Sequence, residues 1–157
     1  MAAEINSIQL ACFNLCNRLF AVDIMRIREI ILPQPIATLP RDSDILDGVI
    51  SLRGSVIPVM NLRKRFEITT DSTAFAGRLL VVALVGCELA LMVDEVMEVI
   101  TVPVTDIKPP AVSLAGAGME FVVGMCIVDE QVIMILNVDL LLDRASLKQQ
   151  QAGSTQT

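Results

Sequence analysis

Short apolar runs separated by turn-forming residues recur along the whole chain. In the first half these runs lie near residues 7–15, 19–24, 27–32, 48–52 and 55–60. Runs of this length that are bounded by Gly, Asn, Asp or Pro indicate β-strands. Arg53 and Gly54 form a two-residue connection between the last two runs, and such a connection containing glycine predicts a tight hairpin.

The second half has the same layout. Its apolar runs lie near residues 79–85, 88–93, 96–102, 121–128 and 131–136. Asn61 and Asn137 each follow the last run of a half and precede LRKRF and VDLLLD, and an asparagine at such a position predicts the N-cap of a helical turn. Ser43 similarly predicts the start of a short turn that ends at Gly48.

The two halves also resemble each other in sequence. Residues 19–31 match residues 88–100 at an offset of 69 positions, and residues 48–62 match residues 124–138 at an offset of 76 positions. The seven additional residues of the second copy fall in PPAVSLAGAG, whose Pro, Gly and small residues suit a longer loop. The pattern indicates two copies of one strand-rich unit.

These observations predict an all-β fold in which each copy forms a small closed or nearly closed antiparallel barrel, because closure removes exposed sheet edges. We expect the first barrel at about residues 7–66 and the second at about residues 79–143, within a single domain covering residues 1–145. The tail at 146–157 is polar, and we expect it to be flexible because it has little apolar surface to bury.

Composition excludes several classes of function. The net charge is −6, which argues against a broad nucleic-acid or lipid-binding surface. The sequence contains no histidine, and its four cysteines lack the spacing of a zinc site. It also shows no phosphate-binding glycine loop or nucleophile elbow. We therefore expect neither an enzyme nor a cofactor.

The location of the protein is also predicted from the sequence. The start MAAEINSIQL has no secretory signal pattern, and the longest apolar run, at residues 79–87, is too short to span a bilayer. We expect a cytoplasmic protein.

Differences between the two copies identify candidate contact residues. Arg53 aligns with Asp129 and Gly54 with Glu130, so the fold does not require arginine at this turn. Arg53 is thus a candidate contact residue, with a solvated turn residue as the alternative. Glu29, in contrast, aligns with Glu98, which leaves structural and functional roles equally open.

The blocks VDIMRIREII, DGVISLRGSVIPVMNLRKRF, LALMVDEVMEVI and VIMILNVDLLL resemble the CheW family of chemotaxis coupling proteins, over about residues 8–143. The resemblance implies two tandem five-stranded Src-homology-3-like β-barrels packed together, without catalytic activity. Members link the histidine kinase CheA to the cytoplasmic tips of methyl-accepting chemotaxis receptors. Because the regulatory domain of CheA is similar to this fold, the resemblance also implies ring-forming contacts between the two proteins.

The resemblance further implies where partners bind. Arg53 is the first candidate, followed by Glu29. A receptor tip is a helical hairpin, so its contact would be a helix in an apolar groove. We predict this groove between the barrels, lined by some of Val22, Ile24, Ile27, Ile30, Leu91, Val93 and Val96, with ordinary core packing as the alternative for each.

Two other functions stay open at this point. One is a coupling protein of a non-flagellar chemosensory pathway. The other is a small-molecule sensor that uses a cavity between the barrels.

Overall fold

Ten strands form two five-stranded sheets in the computed structural model, which describes residues 6–38, 46–68, 77–110 and 119–142. The strands are β1 (Ser7–Leu15), β2 (Arg18–Asp23), β3 (Ile27–Ile31), β4 (Gly48–Leu52), β5 (Ser55–Asn61), β6 (Arg78–Leu84), β7 (Cys87–Val93), β8 (Glu95–Pro103), β9 (Val122–Val128) and β10 (Gln131–Leu136). Helix α1 spans Leu62–Arg65, and 3₁₀ turns lie at Ile24–Arg26, Val104–Asp106, Met119–Phe121 and Val138–Leu140.

These elements confirm the predicted all-β fold and the strands expected from the apolar runs. Both predicted caps are also present. The Asn61 side chain accepts a hydrogen bond from the Arg63 N–H at 3.0 Å, and that of Asn137 accepts one from the Asp139 N–H at 3.1 Å. The turn predicted at Ser43 and the tail predicted at 146–157 lie outside the described residues. None of the helices in the described ranges has the length and apolar content that a transmembrane helix needs.

The strand order confirms the internal repeat. Sheet 1 has the order β8-β1-β2-β10-β9, and sheet 2 has the order β3-β6-β7-β5-β4. Replacing each strand by its counterpart in the other copy converts one order into the other. The register agrees as well, since Ile135 pairs with Ala21 in sheet 1 and the counterpart residues Val59 and Ala90 pair in sheet 2.

The sheets do not coincide with the two halves of the chain, and this corrects the predicted barrel boundaries. Sheet 1 combines β1 and β2 with β8, β9 and β10, whereas sheet 2 combines β3, β4 and β5 with β6 and β7. The chain passes between the sheets through short connections after β2 and β7. Neither 7–66 nor 79–143 is therefore a self-contained barrel. Apolar periodicity identifies strands but does not specify their partners, so the exchange could not be derived from it.

Three apolar clusters form the core. One lies within sheet 1 and contains Leu10, Val102 and Ile133, and another lies within sheet 2 and contains Ile50 and Ile57. The third cluster combines both sheets. Its members include Phe13, Leu15, Phe20, Val22, Leu80, Val82, Leu89, Leu91, Val93, Phe121 and Leu136. Strands β1, β2, β6 and β7 are therefore buried on both faces, which explains their continuous apolar runs.

Four phenylalanines form a continuous series through the shared cluster. The ring centroids of Phe13 and Phe20 lie 5.8 Å apart, those of Phe20 and Phe66 5.1 Å, and those of Phe66 and Phe121 5.9 Å. The Arg65 guanidinium lies 4.3 Å from the Phe121 ring centroid, within the distance of a cation–π contact. These contacts connect α1, which follows sheet 2, to residues of sheet 1.

Gly48 on edge strand β4 and its counterpart Gly124 on edge strand β9 each lie in close contact with another segment of the chain. Backbone hydrogen bonds join Ala37 to Val49 beside Gly48, and Lys108 to Met125 beside Gly124. A Cβ on Gly48 would lie 2.3 Å from the Ala37 carbonyl oxygen, and one on Gly124 would lie 2.6 Å from the Ile107 Cγ2. Both positions therefore require glycine for close approach, and at Gly48 the φ of 158° is in addition a conformation that other residues rarely adopt.

Candidate protein-interaction site

The hairpin between β4 and β5 presents Arg53 on a rigid two-residue turn. Arg53 and Gly54 have φ angles of 50° and 80°, and their counterparts Asp129 and Glu130 have φ angles of 51° and 66°. Two consecutive residues with positive φ are typical of a type I′ turn, which suits the twist of a hairpin. The same turn forms without arginine in the second copy, so its geometry does not explain Arg53.

Arg53 and Glu29, which the sequence analysis proposed as separate contact residues, form one ion pair. The Arg53 Nη2 donates to Glu29 Oε2 at 2.8 Å, and its Nη1 donates to Glu29 Oε1. Glu29 lies on edge strand β3, and Arg53 follows β4 at the opposite edge of sheet 2. Sheet 2 therefore curves enough for the Arg53 side chain to reach Glu29, although β3 and β4 do not pair with each other.

The pair is open to solvent on the arginine side. The Arg53 side chain is 72% exposed and that of Glu29 is 24% exposed. Hydrogen bonds from Arg53 lower the pKa of Glu29 below its ordinary value, and those to Glu29 raise the pKa of Arg53. Both groups are thus charged at neutral pH, and much of the guanidinium remains available to a partner.

The second copy has no equivalent of this ion pair. Glu98 is the counterpart of Glu29, but the turn at Asp129 and Glu130 is acidic, and no salt bridge to Glu98 occurs within the described ranges. The hairpin tips of the two sheets therefore carry opposite charge.

An open cavity of about 570 Å³ lies between the two sheets. Its lining residues are Asn14, Asn17, Ile30, Arg78, Asp94, Glu95 and Val96. Asn14, Glu95 and Val96 belong to sheet 1, whereas Ile30 and Arg78 belong to sheet 2. Five of the seven lining residues are polar, so this is not the mainly apolar groove expected from the sequence.

The structure separates the predicted groove residues into buried and accessible ones. Val22, Leu91 and Val93 are fully buried within the shared core, so their assignment to an open groove is wrong in this conformation. They face the other sheet, and the sequence did not reveal that both faces of their strands are covered. Ile30, which is 46% exposed, and Val96, which is partly buried, do line the cavity.

The remaining two groove candidates have intermediate exposure. Ile24 lies in the 3₁₀ turn after β2, and Ile27 begins β3 and packs against the shared core. Neither residue lines the cavity.

A carboxylate that the sequence analysis did not identify joins the sheets beside the cavity. Asp94 lies between β7 of sheet 2 and β8 of sheet 1. It accepts hydrogen bonds from the Cys16 N–H at 2.7 Å and from the Arg63 Nε at 2.9 Å. The Arg63 Nη2 lies 2.7 Å from the same carboxylate. We call this arrangement the Asp94 clasp.

A second clasp occupies the equivalent place in the other copy, with its charges reversed. Asp139, the counterpart of Arg63, accepts hydrogen bonds from the Arg26 Nη2 at 2.6 Å and from the Val85 N–H at 3.2 Å. Val85 is the counterpart of Cys16. Hydrogen bonding to Arg26 lowers the pKa of Asp139 below its ordinary value. Val85 lies in the β6–β7 hairpin of sheet 2, and Asp139 lies in the 3₁₀ turn after β10 of sheet 1, so this Asp139 clasp also joins the two sheets.

The basic segment at residues 63–65 is explained by contacts within the chain. Arg63 belongs to the Asp94 clasp, Lys64 Nζ lies 2.9 Å from Asp47 Oδ1, and Arg65 Nε donates to the Leu141 carbonyl oxygen at 3.1 Å. The counterparts of these three residues are Asp139, Leu140 and Leu141, so the difference in charge between the copies was a sequence signal for the clasps.

Metal-ligating residues are dispersed within the described ranges, and two of the four cysteines are buried. No group of three or more metal-ligating side chains occurs within the described ranges. Burial raises the pKa of the Cys12 thiol to about 11 and also raises that of Cys126. Both thiols are therefore protonated at neutral pH and pack as small apolar groups.

Comparisons with known proteins agree with this geometry. The model of the CheW-like domain matches residues 9–146. The chain is 28% identical over 152 residues to "Chemotaxis protein CheW" of Treponema pallidum, covering 94% of this chain and 89% of that protein. It is 30% identical over 135 residues to "Probable chemotaxis protein CheW" of Rhizobium etli, covering 85% and 86% of the two chains.

A solved structure shares the fold as well. The crystal structure of the scaffolding protein TtCheW from Thermoanaerobacter tengcongensis superposes with a TM-score of 0.80 at 29% identity, covering 91% of this chain and 92% of that one. The family match extends over most of the chain, and the TM-score shows that the related structure has the same overall fold. The chain therefore belongs to the CheW-like family.

Proposed function

We propose that this protein is a non-catalytic adaptor that couples the cytoplasmic tips of methyl-accepting chemotaxis receptors to a CheA-type histidine kinase. The observation that carries the proposal is the CheW-like family match over residues 9–146, together with the related scaffolding-protein structure. The protein would be cytoplasmic and recruited to the inner face of the membrane through the receptors. It would need no cofactor.

The receptor-binding surface is proposed to include the Arg53–Glu29 pair and the cavity. Glu29 and Ile30 are adjacent on edge strand β3, so their side chains lie on opposite sides of that strand. The ion pair and the cavity consequently flank one strand edge. Ile30 and Val96 supply apolar contact area for a helix, and the exposed part of Arg53 supplies directional hydrogen-bond donors.

The kinase contact is proposed to involve the unlike ends of the two sheets. The β4–β5 tip is basic at Arg53, whereas the β9–β10 tip is acidic at Asp129 and Glu130. A kinase regulatory domain of similar fold would then bind the basic β4–β5 tip at one interface. A second such domain would bind the acidic β9–β10 tip at the next interface. Such heterologous joints close into a ring when the rotation between neighbours permits.

Binding measurements with purified components test the proposal. The full chain is titrated with a receptor cytoplasmic fragment and, separately, with a CheA-type regulatory domain, both from the same chemosensory system. We expect saturable binding to each and a ternary complex when all three are mixed. Failure to bind either component would contradict the proposed function. A kinase-activity assay with receptor, kinase and adaptor then distinguishes coupling from binding alone.

The cavity provides the specific observation for a second candidate, a small-molecule sensor. Its volume of about 570 Å³ lies within the usual size range of ligand pockets. Its largely polar lining, however, differs from the mainly apolar walls that such pockets have. A metabolite that raises Tm with its concentration, in the absence of any partner protein, would favour this function. Coupling in a non-flagellar chemosensory pathway would be distinguished by the partners that bind.

A further inference from the structure

Two charged side chains line the cavity from opposite sheets. Arg78 begins β6 in sheet 2, and Glu95 begins β8 in sheet 1. Both residues are exposed. A segment lying in the cavity would therefore meet one positive and one negative group.

Neither charge has an ion-pair partner within the described ranges. The Arg78 Nη1 donates to the Gly77 carbonyl oxygen at 2.9 Å, and its other donors have no hydrogen bond to a side chain there. Asp94, the other carboxylate of the cavity, is already engaged with Arg63 and the Cys16 N–H. Of the charges that line the cavity, Arg78 and Glu95 are thus the two that the Asp94 clasp does not use.

The adjacent side chains make the cavity suitable for a polypeptide. Ile30 and Val96 offer a small apolar area, and Asn14 lies opposite Glu95 in the β1–β8 pairing. A helix that packs on the two aliphatic side chains would hold its own polar side chains near the charged rim. Complementary charge at such a rim contributes more to orientation and association rate than to total affinity.

We propose that Arg78 and Glu95 determine the orientation of the receptor helix in the cavity, with Arg78 pairing with a carboxylate and Glu95 with a basic side chain of that helix. This inference rests on the proposed receptor coupling and specifies the chemistry of its partner. A helix with the reverse order of charges would place like charges together at both positions. Arg78 and Glu95 therefore act as specificity-determining residues.

Charge reversal in the full chain tests the inference. Binding of the receptor cytoplasmic fragment is measured for Arg78→Glu, Glu95→Arg and the double variant. Lys108→Glu is the matched control, because Lys108 carries the same charge but lies beside β9, at the edge of sheet 1 opposite β8. Arg78→Gln removes the charge without adding a carboxylate, and circular dichroism and Tm verify the fold of each variant.

We expect Arg78→Glu to weaken binding at least about tenfold at low salt, and Arg78→Gln to weaken it less. The difference from the unsubstituted chain should shrink at high salt because exposed charges are screened. In a scan of the receptor fragment, reversal of one acidic residue should restore binding to Arg78→Glu.

The possible failures are distinguishable. Binding of both Arg78 variants with unchanged affinity and salt dependence would overturn the orientation inference while receptor coupling stands. An equal loss for Lys108→Glu would also overturn it, because net charge would then be the cause. If the unsubstituted chain does not bind the receptor fragment, both receptor coupling and this inference are contradicted.

Discussion

The Arg53 guanidinium and the Glu29 carboxylate are joined by two hydrogen bonds between opposite edges of sheet 2. The pair connects two positions that the family resemblance singled out independently. Because the arginine is largely exposed and each charge can be solvated when the pair is broken, its contribution to folding stability should be small. Its greater effect is to hold the guanidinium in one orientation on the surface.

Removing either member of this pair should impair partner binding more than folding. We expect Arg53→Ala to weaken receptor or kinase binding by about tenfold or more and to lower Tm by no more than a few degrees. Glu29→Ala should have a smaller effect on binding, because Arg53 would remain but lose its fixed orientation. Titration calorimetry and thermal unfolding measure the two effects.

A double-mutant cycle tests whether the two residues act as a unit. If Glu29 acts only by orienting Arg53, the double variant should bind no more weakly than Arg53→Ala alone. Strictly additive losses would instead mean that each residue contacts the partner independently. A large loss of Tm in Arg53→Ala would assign the residue to the scaffold.

The Asp139 clasp should make stability depend on pH in the acidic range. Arg26 lowers the pKa of Asp139 in the folded state, so the stabilisation is complete above the ordinary aspartate pKa of about 3.9 and is lost as the pH falls through the lower folded value. Asp139→Asn should therefore reduce Tm at pH 7, and its difference from the unsubstituted chain should narrow towards pH 3. Calorimetry across this range measures the change.

Asp129→Asn is the matched control for that experiment. It also removes one carboxylate, but Asp129 lies in an exposed turn without a salt bridge in the described part of the chain. A Tm difference for Asp139→Asn that stays constant from pH 7 to 3 would show that ionisation of the clasp does not contribute.

The two counterpart glycines should differ in their tolerance of a methyl group. In Gly48→Ala the new Cβ would meet the backbone oxygen of Ala37, whereas in Gly124→Ala it would meet the Cγ2 methyl group of Ile107. A side chain can rotate away more readily than backbone can move. We expect Gly48→Ala to lower the free energy of unfolding by about 2 to 4 kcal/mol and Gly124→Ala by less.

Urea denaturation measures both glycine variants. Gly54→Ala is a useful third variant, because Gly54 has a φ of 80° but its Cβ would meet nothing within 4 Å. It reports the conformational cost of positive φ without a steric clash. A smaller loss in Gly48→Ala than in Gly54→Ala would contradict the role assigned to close approach.

A charge placed in the core of one sheet should unfold both sheets. Ile57 is 3% exposed, and Ile57→Asp would bury an unpaired carboxylate within sheet 2. Because each sheet contains strands from both copies, we expect loss of the whole native structure in a single transition. Amide hydrogen exchange should show no protected sheet 1. Ile127→Asp is the control, since Ile127 is 70% exposed and should tolerate the change.

Local features of the fold were predictable from sequence for a physical reason. Strand periodicity, the hairpin at Arg53 and Gly54, and the caps at Asn61 and Asn137 all depend on residues within a few positions of one another. The internal repeat was also visible, because both copies preserve the same apolar positions. These features are determined by steric preference, hydrogen bonding and burial over short distances in the chain.

Tertiary structure decided which strands pair and which candidate residues remain accessible. The exchange of strands between the two halves buries Val22, Leu91 and Val93 in the core shared by both sheets. It leaves Ile30 and Val96 at the cavity. It also brings Glu29 to Arg53 and Asp139 to Arg26, over separations of 24 and 113 residues. The alternation of apolar residues cannot predict such pairings, because a strand shows the same pattern whichever strand lies beside it. The sequence determined the strands, and the packing of one sheet on the other determined the surface available to partners.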